Sequence, residues 1–403
     1  MSIFSYHLKR NLIILFAILH LANYFLKNTF LFYIGCGLLT YIFISAVRVL
    51  PKVTRRVSLA LMFMGICLML WKGMPFEAWL QCIDKNGNLA TLFIAVPMMF
   101  LPFYYDDYQK ELKHVAQVHM QNLLPFSVLT FLVSHIFGAM ISIGAVNLVY
   151  ELFKNNAKLY DAEETFMSSL MRGYSSSGFW SPAWASILVV TTQMNISWIS
   201  IIPWGVAFLL ITCVFDITAV WFKIKRNPDK YPNLQADEDV VVDWKQIYIL
   251  LGLALALISI IALLSLITPW ALMIIIPIVA TTFPVAVALL QNKVPEYKQG
   301  MQGYYDKSVL KVQSQVALFT AAGFLSKALE YSGVGATIPR LLPTWMSQYP
   351  VLLIGSIMLL MILPSLVGLH PVAIGTALVT TIVPSSIGLT DMGFALTIIV
   401  GWA

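Results

Sequence analysis

The sequence predicts an all-α, polytopic membrane protein. Of its 403 residues, 59% are hydrophobic and only 11% are charged, whereas soluble domains carry about 25% charged residues. Apolar runs of the length that crosses a bilayer recur along almost the whole chain. The net charge of +6 does not indicate nucleic-acid binding, because Lys and Arg lie mainly in short segments between these runs.

Ten spans and two interrupted apolar stretches are predicted, and we interpret the two stretches as re-entrant hairpins. The spans are placed at residues 10–26, 29–47, 57–74, 90–105, 170–193, 197–222, 246–266, 270–291, 312–333 and from 388 onward. The hairpins are placed at residues 123–152 and 351–383. We expect the polar segment 223–245 to be a cytoplasmic linker.

The first hairpin is predicted from its length and from the small and polar residues in its middle. An apolar run of about 30 residues would extend ~45 Å as one helix. This length is too great for one upright span and too small for two. Ser134, Gly138 and Gly144 lie near the centre of the run. Such residues suit two half-helices that enter the bilayer and return.

The span at residues 170–193 is predicted to be a broken helix. Its interrupting residues are Ser175, Ser176, Ser177, Gly178 and Pro182. A helix break inside a bilayer is tolerated only where it is buried in protein or lines a cavity. Interruptions of this kind are the best sequence indication of a transporter's binding site.

The distribution of positive charge predicts the orientation. All but five of the 25 Lys and Arg residues share one side of the membrane if residues 123–152 re-enter. We therefore expect a cytoplasmic N-terminus and hairpins that enter from opposite sides, which is typical of an inverted repeat. Residues 1–28 are expected to be an extra span, residues 29–222 the first repeat and residues 246–403 the second.

The second repeat is expected to be truncated. Fewer residues follow the start of its hairpin at Val351 than separate Leu123 from the end of the sixth span. The helix break equivalent to residues 175–182 and a whole final span are therefore expected to lie beyond Ala403. A non-transporting remnant of a carrier is kept as an alternative interpretation.

Residues 316–335, VALFTAAGFLSKALEYSGVG, resemble the span GGFLLAKALEKSGL of the ion transporter superfamily. This superfamily of secondary carriers includes divalent anion/sodium symporters, citrate carriers and the large TRAP subunit. The resemblance covers roughly residues 90–222 and 310–403. It implies an inverted-repeat carrier that moves a small organic anion across the bacterial cytoplasmic membrane by alternating access.

The candidate substrate-binding residues come from the hairpins and the broken helix. Helix starts at such interruptions carry partial positive charge and attract anions, and hydroxyl groups add hydrogen-bond donors. The candidates are Ser134, Ser175, Ser176, Ser177, Gly178, Ser181, Ser365 and Thr376. For any single serine, helix packing or a bond to its own helix is the alternative role.

A second set of residues is proposed to hold the coupling ion. The candidates are Ser134, His135, Asn147, Ser365 and His370. The two histidines titrate near physiological pH and can relay protons, whereas hydroxyl and carbonyl oxygens can hold sodium. The resemblance favours sodium. No role is assigned to the other four histidines, which are His7, His20, His114 and His119.

The hairpin tips differ from those of the dicarboxylate symporters. The symporters carry Ser-Asn-Thr at each tip, whereas this chain has Ser-His-Ile at residues 134–136 and Ser-Leu-Val at residues 365–367. Because the resemblance assigns these tips to binding, the difference bears both on which substrate binds and on whether sodium is the coupling ion.

An enzyme is not expected. The sequence contains no P-loop, no HExxH and no GxSxG motif. A polytopic membrane enzyme that uses His135 and the serines is the alternative. We expect no cofactor and no metal site apart from the coupling ion. The expected partners are a small anion and the lipid bilayer, with a homodimer as one compatible assembly and no nucleic acid.

Overall fold

The computed structural model is helical in all the secondary structure that it describes. The described residues are 3–105, 108–141, 144–231, 241–334, 348–366 and 371–403. For these residues, the prediction of an all-α fold is confirmed.

Eleven described α-helices precede the polar linker. They are α1 (Ile3–Leu26), α2 (Thr29–Val47), α3 (Lys52–Trp71), α4 (Phe76–Asp84), α5 (Gly87–Ala95), α6 (Tyr108–His119), α7 (Leu123–Ile141), α8 (Gly144–Leu159), α9 (Glu163–Ser177), α10 (Ala185–Gln193) and α11 (Trp198–Arg226). A 3-10 segment, Val96–Tyr104, extends α5.

Seven described α-helices follow the linker. They are α12 (Trp244–Ile267), α13 (Leu272–Leu290), α14 (Val294–Gly303), α15 (Val309–Ser332), α16 (Pro350–Leu366), α17 (Pro371–Thr381) and α18 (Asp391–Trp402). A π-helical turn, Tyr304–Ser308, joins α14 to α15, and a 3-10 turn, Pro384–Ile387, precedes α18.

Eight helical segments among the described residues are long and apolar enough to cross a membrane. They are Tyr6–Leu26, Thr29–Val47, Lys52–Trp71, Phe76–Tyr104, Leu123–Met140, Trp198–Arg226, Trp244–Ile267 and Leu272–Leu290. These segments indicate a multi-pass membrane protein. Three of the ten predicted spans do not meet this criterion among the described residues. The span at residues 170–193 fails because α9 and α10 are each too short, the span from residue 388 because α18 is too short, and the span at residues 312–333 because α15 is too polar.

The two predicted hairpins correspond to two pairs of packed helices. Helices α7 and α8 pack against each other, and α16 packs against α17 in the same way. Because the segment Leu123–Met140 of α7 is by itself long enough to cross a membrane, the re-entrant path of the first hairpin stays a prediction.

Aromatic side chains pack together where α7 begins, next to the end of α8 and the start of α9. The ring of Phe126 on α7 lies 5.1 Å from that of Tyr160 and 6.0 Å from that of Phe166, measured between centroids. These side chains are fully buried. Large buried rings contribute strongly to packing energy, so this cluster holds α7 against the start of α9.

Helices from both ends of the chain share one packed interior. Helix α15 contacts α2 and α3, while α13 contacts α5 and its 3-10 extension. Helix α10 contacts both α17 and α18. As a result, α10 and the middle of α15 lie where helices from the two ends of the sequence meet.

Candidate functional site

A cavity of about 450 Å³ lies at this meeting point. We refer to it as the central cavity. Its lining residues are Leu92, Phe93, Val96, Pro97, Gly144, Tyr174, Ala183, Trp184, Ala185, Gln315, Phe319, Pro371, Trp402 and Ala403. They come from α5 and its extension, both helix pairs, the α9–α10 interruption, α15 and the end of α18.

A larger groove of about 700 Å³ lies at the end of α11 and is lined by Lys223, Lys225 and Arg226 among others. It contains none of the residues of the hairpins or of the interruption. Basic residues at the end of a span are expected from the positive-inside rule alone. We therefore take the central cavity as the candidate site.

The wall of the central cavity includes the start of helix α10. Ala185 is the first residue of α10, and its N-cap, Trp184, has an extended backbone and makes no side-chain capping hydrogen bond. The first N–H groups of a helix lack partners within it, and the helix dipole gives this end a partial positive charge. The start of α10 therefore makes this part of the wall suitable for an anion.

Aromatic rings form much of the remaining wall. The rings of Phe93 and Phe319 lie 4.6 Å apart, and Trp184 and Trp402 line the cavity with them. Gln315 adds a half-buried side-chain amide. This lining can surround the apolar part of an organic molecule, while the start of α10 faces its charged group.

The interruption between α9 and α10 spans residues 178–184, inside the predicted broken helix. The indole N–H of Trp184 donates to the carbonyl of Gly138 on α7 at 3.0 Å. The indole N–H of Trp198 donates to the carbonyl of Trp180 at 2.7 Å. At Gly178, a Cβ atom would lie 2.9 Å from the Trp184 ring, so glycine is needed for this packing.

The serines of α9 bond within the protein. The hydroxyls of Ser176 and Ser177 donate to carbonyls three residues earlier at 2.7 and 2.6 Å. Ser181 donates to the carbonyl of Ala139 on α7. Neither these three serines nor half-buried Ser175 line the central cavity. Trp184 and Ala185 line it instead.

The other predicted substrate residues lie on three different helices. Ser134 on α7 and Thr376 on α17 are buried, and neither hydroxyl has a hydrogen-bond partner among the described residues. Ser365 on α16 is half-buried and donates to the carbonyl of Met361 at 2.6 Å. The candidates of the first hairpin therefore lie near the interruption, whereas Ser365 and Thr376 belong to the second helix pair.

His135 sits in a hydrogen-bond chain that suits its neutral form. The indole N–H of Trp180 donates to Nε2 of His135 at 3.3 Å. Because an indole only donates, Nε2 accepts, and Nδ1–H then donates to Ser176 Oγ at 2.9 Å. Protonation of Nε2 would remove the bond from Trp180. The role of His135 with the coupling ion stays a prediction.

The remaining coupling-ion candidates are Asn147 and His370. The side chain of Asn147 is exposed on α8, and His370 lies outside the described residues. Within the described part of the chain, no group of three or more His, Cys, Asp or Glu residues has the arrangement of a metal site.

Sequence reasoning missed most of the cavity wall. Gln315 and Phe319 lie four residues apart on α15, so they share one helix face, and that face meets the cavity. Gln315 could not be singled out in the sequence, because Gln313 and Ser314 beside it are also polar. Trp402 had no local signal, because its contact with the cavity depends on the packing of α18.

Comparisons with known proteins do not assign the chain to a family. No family model matches the sequence, and no curated protein matches it. The ion transporter superfamily is therefore not identified by these comparisons, and the functional argument rests on the fold and on the central cavity.

Proposed function

We propose that the chain is a secondary active transporter of a small organic anion, and that the anion binds in the central cavity. The observation that carries this proposal is a cavity of about 450 Å³ that lies between helices from both ends of the chain, is lined by aromatic rings and includes the start of α10 in its wall. Half-helix starts near the bilayer centre bind anionic groups in secondary carriers. Transport rather than catalysis is favoured because the cavity lies between helices from both ends of the chain.

The order of the helices supports an inverted repeat. In the first proposed repeat, α2 and α3 precede α4–α5, the pair α7–α8 and α9. In the second, α12 and α13 precede α15, the pair α16–α17 and α18. Helix α3 packs on α15, and α13 packs on α5. This reciprocal packing is expected of two repeats related by a pseudo-two-fold axis.

Ala185→Asp tests the anion site directly. Aspartate in the first turn of α10 suits the helix dipole, so folding is expected to be retained. A carboxylate ~5 Å from a bound anion costs about 3 kcal/mol at an effective dielectric constant of ~20, or about a hundredfold in affinity. We expect this loss for succinate or citrate, measured by calorimetry or by thermal shift of the purified chain.

The matched control is Ala185→Asn, which has nearly the same shape and no charge. It is expected to keep most of the affinity. Choline serves as the cationic control ligand and is expected not to bind. The proposal fails if succinate and citrate stabilise the parent protein no more than choline does, or if Ala185→Asp binds them as tightly as Ala185→Asn.

Single cysteines test the inverted topology. Glu163, at the start of α9, and Ser386, before α18, are both exposed. In a background without the four native cysteines, Glu163→Cys is expected to react with an impermeant maleimide only from the cytoplasmic side. Ser386→Cys is expected to react only from the outside. Reaction of both from one side would overturn the inverted repeat.

A further inference from the structure

A second polar cluster lies inside the membrane-spanning helices. His20 on α1 lies against the interruption between α4 and α5. Its Nδ1 is 3.3 Å from Oδ1 of Asp84, and its Nε2 is 3.0 Å from Oδ1 of Asn88. The side chains of His20 and Asp84 are only 13% and 24% exposed. Ionisable groups at such positions are costly and are commonly functional.

The surroundings of His20 favour its protonated form. Both ring nitrogens face oxygen acceptors, and an imidazole that donates from both nitrogens is an imidazolium cation. The Asp84 carboxylate supplies the compensating negative charge. His135 is the opposite case, because the donor group of Trp180 faces one of its nitrogens.

The backbone at the interruption is shaped to admit the imidazole. Helix α4 ends at Asp84 and α5 begins at Gly87. A Cβ atom at Gly87 would lie 2.5 Å from Oδ1 of Asp84 and 2.5 Å from the ring of His20. The approach of His20 to the interruption therefore depends on glycine at this position.

Asn86 connects this cluster to the wall of the central cavity. Its side chain is buried, and its amide donates to the carbonyl of Phe319 on α15 at 2.9 Å. The ring of Phe319 lines the central cavity and packs against Phe93 of α5. A displacement of α5 at the interruption would therefore move aromatic rings that line the cavity.

Other titratable groups surround the cluster. On α2, Cys36 interacts electrostatically with Asp84. Lys85 interacts electrostatically with Lys327 and Glu330 of α15. Those two side chains pair with each other at 2.6 Å. Asp84 is therefore the carboxylate in direct contact with the imidazole.

We propose that His20, Asp84 and Asn88 form a proton-binding site, and that the proton is the coupling ion of the proposed transporter. The inference rests on the proposed function. Neutral His20 takes up one proton and donates from both nitrogens to Asp84 and Asn88. When the proton leaves, one nitrogen lone pair faces an oxygen atom. The resulting repulsion separates α1 from the α4–α5 interruption and shifts α5 at the cavity wall.

Histidine-ring NMR of the purified full chain tests the site without any substrate. The His20 signal is identified by its loss in His20→Gln. It is expected to be that of an imidazolium at pH 7 and to become neutral in Asp84→Asn. His114, which pairs with Glu111 at 3.4 Å on α6, is the matched control, and its signal is expected to be unchanged in Asp84→Asn. A neutral His20 at pH 7 in the parent protein would overturn the proposal.

Accessibility of the cavity tests the coupling. The maleimide reaction rate of Gln315→Cys is measured at pH 5 and pH 8 relative to that of Ser386→Cys, which corrects for the thiol chemistry. We expect this ratio to change at least about fivefold, and His20→Gln to remove the change. A pH-dependent ratio that persists in His20→Gln would contradict the proposal.

The two proposals fail separately. A protein that binds succinate while His20 is neutral at pH 7 keeps the proposed function and loses the proton site. Suppose instead that His20 is protonated and the accessibility changes with pH, but succinate and citrate do not bind. This result supports the proton site and overturns only the proposed anion transporter.

Discussion

Gly173→Ala is expected to abolish most of the folded protein. Gly173 lies on α9 where this helix packs against α7, and a Cβ atom there would lie 2.2 Å from the carbonyl oxygen of Phe131. The obstacle is backbone, so no side-chain rotation can relieve it. Overpacking typically costs about 1–3 kcal/mol, and we expect the upper end of this range here because the backbone itself must move. Because α9 leads directly into the interruption, the shift would also deform the central cavity.

Gly35→Ala is the matched control for this substitution. Gly35 lies within α2, and a Cβ atom there would meet nothing within 4 Å. Alanine in a helix interior is favoured over glycine by about 1 kcal/mol, so the control is expected to be neutral or stabilising. The measurements are the thermal unfolding midpoint in detergent and the monodisperse yield. Equal midpoints for the two variants would show that α7 and α9 are not in this close contact.

Arg172→Leu is expected to destabilise the protein by about 3 kcal/mol. Its guanidinium donates to Oδ1 of Asp216 on α11 at 2.8 Å, and Ser169 donates to the same oxygen at 3.1 Å. Asp216 is 1% exposed, so removal of Arg172 would leave an unpaired buried carboxylate. The value is at the lower end for buried pairs because the Arg172 side chain is 32% exposed.

Lys223→Leu provides the matched control, since it removes a cation at the same α9–α11 contact. Lys223 pairs at 3.2 Å with Glu164, whose side chain is 89% exposed, so we expect a loss below about 1 kcal/mol. The double variant Arg172→Leu with Asp216→Leu is expected to recover most of the stability, because it buries no charge. Denaturant or thermal unfolding of the parent protein, the two single variants and the double variant measures these changes in stability. Equal losses for the two single variants would contradict a buried Arg172–Asp216 pair.

The helical class, seven of the ten membrane spans and the place of the broken helix could be predicted from the sequence. Each apolar residue favours the bilayer interior independently of its tertiary contacts. A long apolar run can therefore be recognised as a span from the sequence alone. The interruption was located by Gly178 and Pro182, since these residue types disfavour a continuous helix for local backbone reasons. The structure places it at residues 178–184.

The tertiary structure alone decided which side chains meet the cavity. Ser176 and Ser177 lie beside the interruption in sequence, yet their hydroxyls donate to carbonyls of their own helix and do not line the cavity. Gln315 and Trp402 reach the cavity from distant parts of the chain. The side of a helix that faces a cavity depends on which helices pack around it, and hydrophobicity along one segment does not specify this.

His20 makes the same point for the proton site. It was assigned no role, because nothing within α1 distinguishes it from a histidine near the end of a span. Its chemistry comes from Asp84 and Asn88, which lie more than sixty residues away in sequence. A residue type and its neighbours along the chain determine that a group can be charged. Only the oxygen atoms that folding brings to its two nitrogens decide whether it holds a proton.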